Sequence, residues 1–215
     1  MTRSFSDREK HDITERLLAA GKELFQRYGL RKTSIEELTR AVGIGQGSFY
    51  LFYNSKEELF FEILDGEERE LRERIARMIS ESEKTRMGFK EVITRSFRML
   101  NENTIIKSAL VDDEYSRFFS RIPKGRLKAH LEEESGYVHA IVKQMQSEGV
   151  VERVKPEVIT GLFFGLFLLQ EHKGLIGEEI FDQVIDVLID TLCDALITRG
   201  EKNLSAGKPS YLMEA

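Results

Sequence analysis

The chain has no tryptophan, a single cysteine and only three prolines in its 215 residues. A lone Cys193 excludes an intrachain disulfide and any cysteine-based metal cluster, and fits a reducing cytoplasm. Prolines at 123, 156 and 209 leave long stretches free for uninterrupted helices. The longest apolar run, "GLFFGLFLL" at 161–169, falls far short of the roughly 20 residues a spanning helix needs. The opening "MTRSFSDREKHD" lacks the apolar core of a secretory leader, so a cytoplasmic protein is expected. Catalytic signatures are missing as well. There is no H-E-x-x-H, no nucleophile elbow and no Ser-His-Asp spacing, and His11, His130, His139 and His172 are scattered. No enzyme activity, metal or cofactor is expected.

What is present is charge and helical periodicity. The net charge of -5 would exclude a uniformly basic nucleic-acid binder, but residues 1–56 carry ten Lys/Arg against seven Asp/Glu. The remainder is acidic, so a mildly basic head precedes an acidic body.

Apolar residues recur at helical spacing nearly throughout, which predicts an all-α protein of about nine helices. Ile13, Leu17, Ala20, Leu24 and Tyr28 mark one face of a first helix that Gly29 would stop in a left-handed cap. Thr33 and Glu36 have capping-box spacing for a short second helix with the stripe Ile35, Leu38 and Val42, closed by Gly43. Ser55 and Glu58 repeat that spacing ahead of a long helix. Further helices are predicted at 87–109, 112–121, 125–148, from Pro156 to Leu169, and at 179–198. The last carries Ile180, Val184, Val187, Leu188, Thr191 and Leu192 on its expected inner side. Asp182, Asp186, Asp190 and Asp194 form an expected solvated ladder beside them. The domain organisation that follows is a head at 1–55, a helical body at 56–200 and a flexible tail at 201–215.

The stretch "GIGQGSFYLFYNSKEEL", 43–59, links the two capped helices. Its G-x-G-x-G spacing follows a helix and lacks a Lys-Ser or Lys-Thr pair, so it matches neither a dinucleotide fingerprint nor a phosphate loop. A capped short helix, a tight glycine turn and a second short helix form instead a helix-turn-helix, whose second helix enters the DNA major groove. Small residues at Gly45, Gln46, Gly47 and Ser48 would then allow close approach to bases and phosphates. Phe49 and Tyr53 would pack inward, while Tyr50 faces the other way and offers its hydroxyl to a phosphate. Lys56 is a second candidate phosphate contact.

Residues 17–59 resemble the DNA-binding head of the TetR family of bacterial transcriptional regulators. The resemblance rests on Tyr28-Gly29, Thr33-Ser34-Ile35, Val42-Gly43-Ile44, Gly47-Ser48-Phe49-Tyr50 and Ser55-Lys56-Glu57-Glu58-Leu59. It implies a three-helix head, a long connecting helix and a helical effector domain whose last two long helices form a four-helix dimer interface. It also implies a phosphate contact at Thr33 or Ser34, recognition-helix roles for Gln46 and Ser48, and phosphate binding by Tyr50 and Lys56. Two positions depart from the family pattern. Gly45 stands where a capping Ser or Thr is frequent, and Phe52 where His is frequent.

The helix after Pro156 is apolar on nearly all sides, which one subunit cannot cover, so a homodimer is expected. The candidate interface comprises Gly161, Phe164, Gly165, Leu168, Val184, Val187, Leu188 and Thr191. Candidate effector-pocket residues are Phe97, Met99, Tyr115, Phe118, Phe119, Tyr137 and Phe167, a mix suited to a mostly apolar small molecule. The expected function is a ligand-responsive repressor that binds a palindromic double-stranded DNA operator as a dimer. The alternative is a helical binding or scaffold module without sequence-specific DNA binding.

Overall fold

The computed structural model describes residues 5–111, 115–152 and 154–197. They form eleven helices: α1 (Asp7–Lys32), α2 (Ile35–Val42), α3 (Gln46–Phe49), α4 (Lys56–Glu81), α5 (Arg86–Glu102), α6 (Thr104–Val111), α7 (Tyr115–Ser120), α8 (Lys124–Ser147), α9 (Pro156–Glu171), α10 (Lys173–Ile176) and α11 (Glu178–Leu196). Among the described residues there is no strand, only one isolated antiparallel bridge between Val151 and Ile197. No helix among the described residues is long and apolar enough to cross a membrane. The tail expected at 201–215 lies outside the described residues.

Eleven segments replace about nine because a single-turn helix, α10, is added and one predicted helix is broken. The expected helix at 87–109 divides at Asn103, whose Oδ1 accepts from the backbone N–H groups of Ile105 and Ile106, both at 3.1 Å. A side chain that caps from within the run starts a new helix there.

The chain divides into two compact units, one drawn from Met1–Leu71 and Glu102–Lys128, the other from Arg72–Asn101 and Ala129–Ala215. In the first, α1 and α4 lie in close contact. A Cβ placed on Gly21 would come within 2.9 Å of Ile63 Cδ1 and 3.2 Å of Leu59 Cδ2. Around this contact are buried Leu17, Phe25, Leu38, Val42, Phe49, Leu59, Phe60 and Leu64. Phe60 and Phe61 also meet Phe118 of α7, at 5.1 and 6.3 Å between ring centroids. Arg121 pairs with the buried carboxylate of Glu57 at 2.5 Å.

The second unit has two apolar clusters. One gathers Val142, Met145, Val151, Val154, Ile159 and Leu196. The other gathers Ile93, Leu166, Phe181, Ile185, Ile189 and Cys193. Cys193 is a fully buried thiol that burial pushes above its ordinary range, outweighing the nearby Arg86 charge. No basic neighbour of Cys193 is evident in the sequence, because α5 supplies it from a distance.

The inner face of α11 is corrected by about 100°, one residue's rotation on a helix. Phe181, Ile185, Ile189, Cys193 and Leu196 are buried, whereas Ile180 and Val187 are 51% and 63% exposed. Nor is the acidic ladder wholly solvated. Arg86 of α5 reaches Asp190 and Asp194 at 2.9 and 2.5 Å, and Lys90 reaches Asp190 at 2.9 Å. These cations hold the Asp190 carboxyl below the usual carboxylate range, chiefly through the Lys90 hydrogen bond.

Candidate nucleic-acid interface

Gly29 interrupts the first helix as expected, but not as a left-handed cap. At φ 77° and ψ 163° Gly29 is non-helical, and a short helical segment follows it as the end of α1, up to the cap residue Thr33. Thr33 is therefore the cap of α1 and not of α2. Its side chain is buried, with the hydroxyl directed at the carbonyls of Gly29 (2.9 Å) and Leu24 (3.3 Å).

The capping box of α2 lies one residue later than Thr33–Glu36. Glu37 N–H donates to Ser34 Oγ at 3.2 Å, while the Ser34 N–H and hydroxyl both donate to Glu37 Oε2 at 2.8 Å. Hydrogen bonds from the Ser34 backbone, then from its hydroxyl, hold the Glu37 carboxyl below its ordinary value. The box is therefore intact at neutral pH and is lost as pH falls through that lowered value. Ser34→Ala is expected to lower the melting temperature by about 2–4 °C at neutral pH, an effect that shrinks in acid. Scanning calorimetry at the two pH values checks this.

Gly43 ends α2 in the left-handed conformation, φ 73° and ψ 31°, as its position predicts. Arg16 from α1 donates to the carbonyl of Val42 and closes the same end. The backbone re-enters helix at once: Gly45 is the N-cap of α3 with no side-chain cap bond, and Ser48 N–H donates to Gly45 O at 2.8 Å. Gly45, Gln46 and Gly47 are exposed and Ser48 half-exposed. A Cβ on Gly47 would meet nothing within 4 Å, so nothing in the protomer requires a glycine there.

The aromatics separate as their facing predicts. Phe49 is fully buried and Tyr53 nearly so, with centroids 5.9 Å apart. Tyr50 is 56% exposed, and Leu51 beside it is also exposed. Phe52 is half-buried with its ring 6.0 Å from that of Phe5, a contact that spacing alone does not reveal. Desolvation pushes the Tyr53 hydroxyl upward, so Tyr50 is the tyrosine available to a ligand.

Lys56 is held by the chain's own backbone. Its ammonium donates to the carbonyls of Leu30 (2.7 Å), Arg31 (3.1 Å) and Thr33 (2.7 Å). All three of its protons are thereby directed at the chain's own backbone. Arg31 and Lys32 stand exposed in the last turn of α1, beside the start of α2. The adjacent basic pair in "LRKTS" was their only signal in the sequence.

The candidate pocket residues do not form one group within a unit. In the first, Phe118 is buried and Phe119 half-buried, 4.7 Å apart, both packed on Phe61. The Tyr115 side chain lies outside the described residues. In the second unit Phe167 is fully buried, Phe97 packs against the Phe181 cluster and Met99 is half-buried. Tyr137 there donates its hydroxyl to Arg72 O at 2.6 Å.

No curated protein matches the chain in sequence. Residues 17–63 match the model of the family described as "Bacterial regulatory proteins, tetR family". The fold is that of solved regulators. A putative TetR-family transcriptional regulator from Mesorhizobium loti is similar at 15% identity and TM-score 0.64, over 87% of this chain and 98% of that one. A TetR-family transcriptional regulator from Pectobacterium atrosepticum is similar at 17% identity and TM-score 0.63, over 88% and 94%. SmeT, the repressor of the Stenotrophomonas maltophilia multidrug efflux pump SmeDEF, is similar at 16% and 0.55, over 91% and 95%. The family's own model matches the helix-turn-helix described above, and over most of its length the chain has the fold of solved TetR-family regulators: residues 17–63 are a tetR-family DNA-binding head on a body of that fold.

Proposed function

We propose that the protein is a cytoplasmic, homodimeric repressor that binds a near-palindromic DNA operator and is released by a small, mostly apolar effector. The observation that carries the DNA reading is the division of aromatics around α3. A buried Phe49 and Tyr53 hold the turn rigidly, while an exposed Tyr50 hydroxyl flanks the slim surface of Gly45 to Ser48. In this reading Gln46 and Ser48 meet base edges, Tyr50 meets a phosphate, and Arg31 and Lys32 add positive charge beside it. Thr33 has no free hydroxyl proton to contribute, and Ser34 can bind a phosphate only by releasing Glu37.

The dimer reading is supported by exposed residues on α9 and α11. Gly161, Phe164 and Leu168 of α9 are exposed and Gly165 half-exposed; on α11 Val187 and Thr191 are exposed, Val184 and Leu188 half-buried. A Cβ on Gly161 or Gly165 would meet nothing within 4 Å in the protomer, so their smallness leaves room for a partner helix. Two recognition helices would then enter successive major grooves about 34–36 Å apart or a multiple of that. Head and body at 1–55 and 56–200 remain the functional division we assign, with the effector bound among the aromatic residues of the body. An effector shifts the equilibrium only by its differential affinity for the two arrangements.

Selection of genomic fragments by the purified protein, followed by sequencing, tests the reading. One palindromic motif is expected, and Gln46→Ala is expected to change the bases it contains. If no fragment is enriched over bulk DNA, the helical binding-module alternative holds instead.

A further inference from the structure

The Lys56 ammonium is half-buried between α4 and the α1–α2 corner, and its three partners are the carbonyls at the end of α1. The last carbonyls of a helix have no partner within it, and a cation placed there also complements the negative end of the helix dipole. Leu30 and Arg31 are in the final turn of α1, past the Gly29 kink, and Thr33 is its cap residue, one position before the N-cap of α2. A single side chain, 23–26 residues away in sequence, therefore joins the first residue of α4 to both sides of that corner. The next residue, Glu57, points to a different side of α4 and binds Arg121 beyond α7.

We infer that Lys56 is a positioning residue that locks the start of α4 to the α1–α2 corner and so fixes the orientation of the DNA-contacting turn, and is not itself a phosphate contact. A phosphate would have to compete with three carbonyls already in place. The inference rests on the proposed DNA reading only for its effect on affinity; the lock itself can be tested without DNA.

Three measurements decide it. Acylation of lysines in the DNA-free wild-type protein, followed by peptide mass spectrometry, is expected to modify Lys56 at least about tenfold more slowly than exposed Lys32. Lys56→Met, which keeps the aliphatic stem, is expected to melt about 5 °C lower. Its affinity for the selected operator, measured where it is fully folded, is expected to fall about tenfold with an unchanged slope of log affinity against log salt. Acylation of Lys56 as fast as Lys32, or an unchanged melting temperature, overturns the lock. A slope reduced by about 0.9 per subunit shows a phosphate contact and overturns the inference as well. If Lys56→Met does not fold, the acylation rates in the wild-type protein decide.

Discussion

Phe164→Asp combined with Val187→Asp is expected to convert the protein to a monomer in sedimentation at micromolar concentration and to weaken operator binding by at least about 100-fold. The size follows from linkage: two half-sites bound by one rigid dimer gain an avidity of about 10²–10⁴ over one half-site alone. Phe164 and Val187 are 46% and 63% exposed in the protomer, so aspartate at either position remains solvated in the isolated chain. In a dimer that covers both stripes, the same carboxylates would be buried without partners, and an unpaired buried charge opposes association strongly. Exposed Asp182 and Asp186 already add negative charge to α11, and further negative charge repels the identical face of a second copy.

Met87→Asp is the control, because Met87 is 70% exposed in the same unit but belongs to α5. It is expected to leave both sedimentation and affinity unchanged. A double variant that sediments and binds DNA like the wild type would place the dimer interface elsewhere. One that sediments as a monomer yet keeps full affinity would remove the requirement for two recognition helices.

Local rules made most of the helices legible. Gly43 and Gly149, both at positive φ, stop their helices where the sequence pattern ends, and Pro156 opens α9. The misplaced features share one cause: two readings satisfied the same local pattern. Thr33–Glu36 and Ser34–Glu37 both fit a capping box, and burial of Thr33, with its hydroxyl on the α1 carbonyls, decides between them. On α11 the rows beginning at Ile180 and Phe181 are both apolar at helical spacing. Which row faces the protomer depends on α5 and α9, which no local window contains. The partners of Lys56 were likewise beyond any local window. Its sequence neighbours suggest a surface cation at a helix start, whereas its partners are carbonyls that folding brings from 23 to 26 residues away. The inward Phe49 and outward Tyr50 were legible because their facing depends on the rotation of one short helix and needs no distant partner.

That adjacent pair allows stability and binding to be separated within two residues. Phe49 has no solvent exposure and lies 5.9 Å from Tyr53, so Phe49→Ala leaves a cavity at the base of the turn. A buried Phe→Ala change costs about 3–5 kcal/mol, which for a chain of this size lowers the melting temperature by about 10 °C. Because α3 is a single turn with no side-chain cap, its own hydrogen bonds cannot hold it in place once that ring is gone. Specific and non-specific DNA binding are therefore both expected to be lost with Phe49→Ala, even at temperatures where circular dichroism shows the other helices intact. Tyr50→Phe retains the edge contact of its ring with Phe49, 5.8 Å between centroids, and removes only an exposed hydroxyl. It is expected to melt like the wild type and to bind all duplexes about 10- to 100-fold more weakly, as loss of a hydrogen bond to a charged phosphate predicts. Equal loss on operator and on random duplex marks a phosphate contact; loss on the operator alone would move Tyr50 to the base edges. Wild-type affinity in Tyr50→Phe would remove its hydroxyl from the interface and leave the exposed basic residues at the end of α1 to bind the backbone.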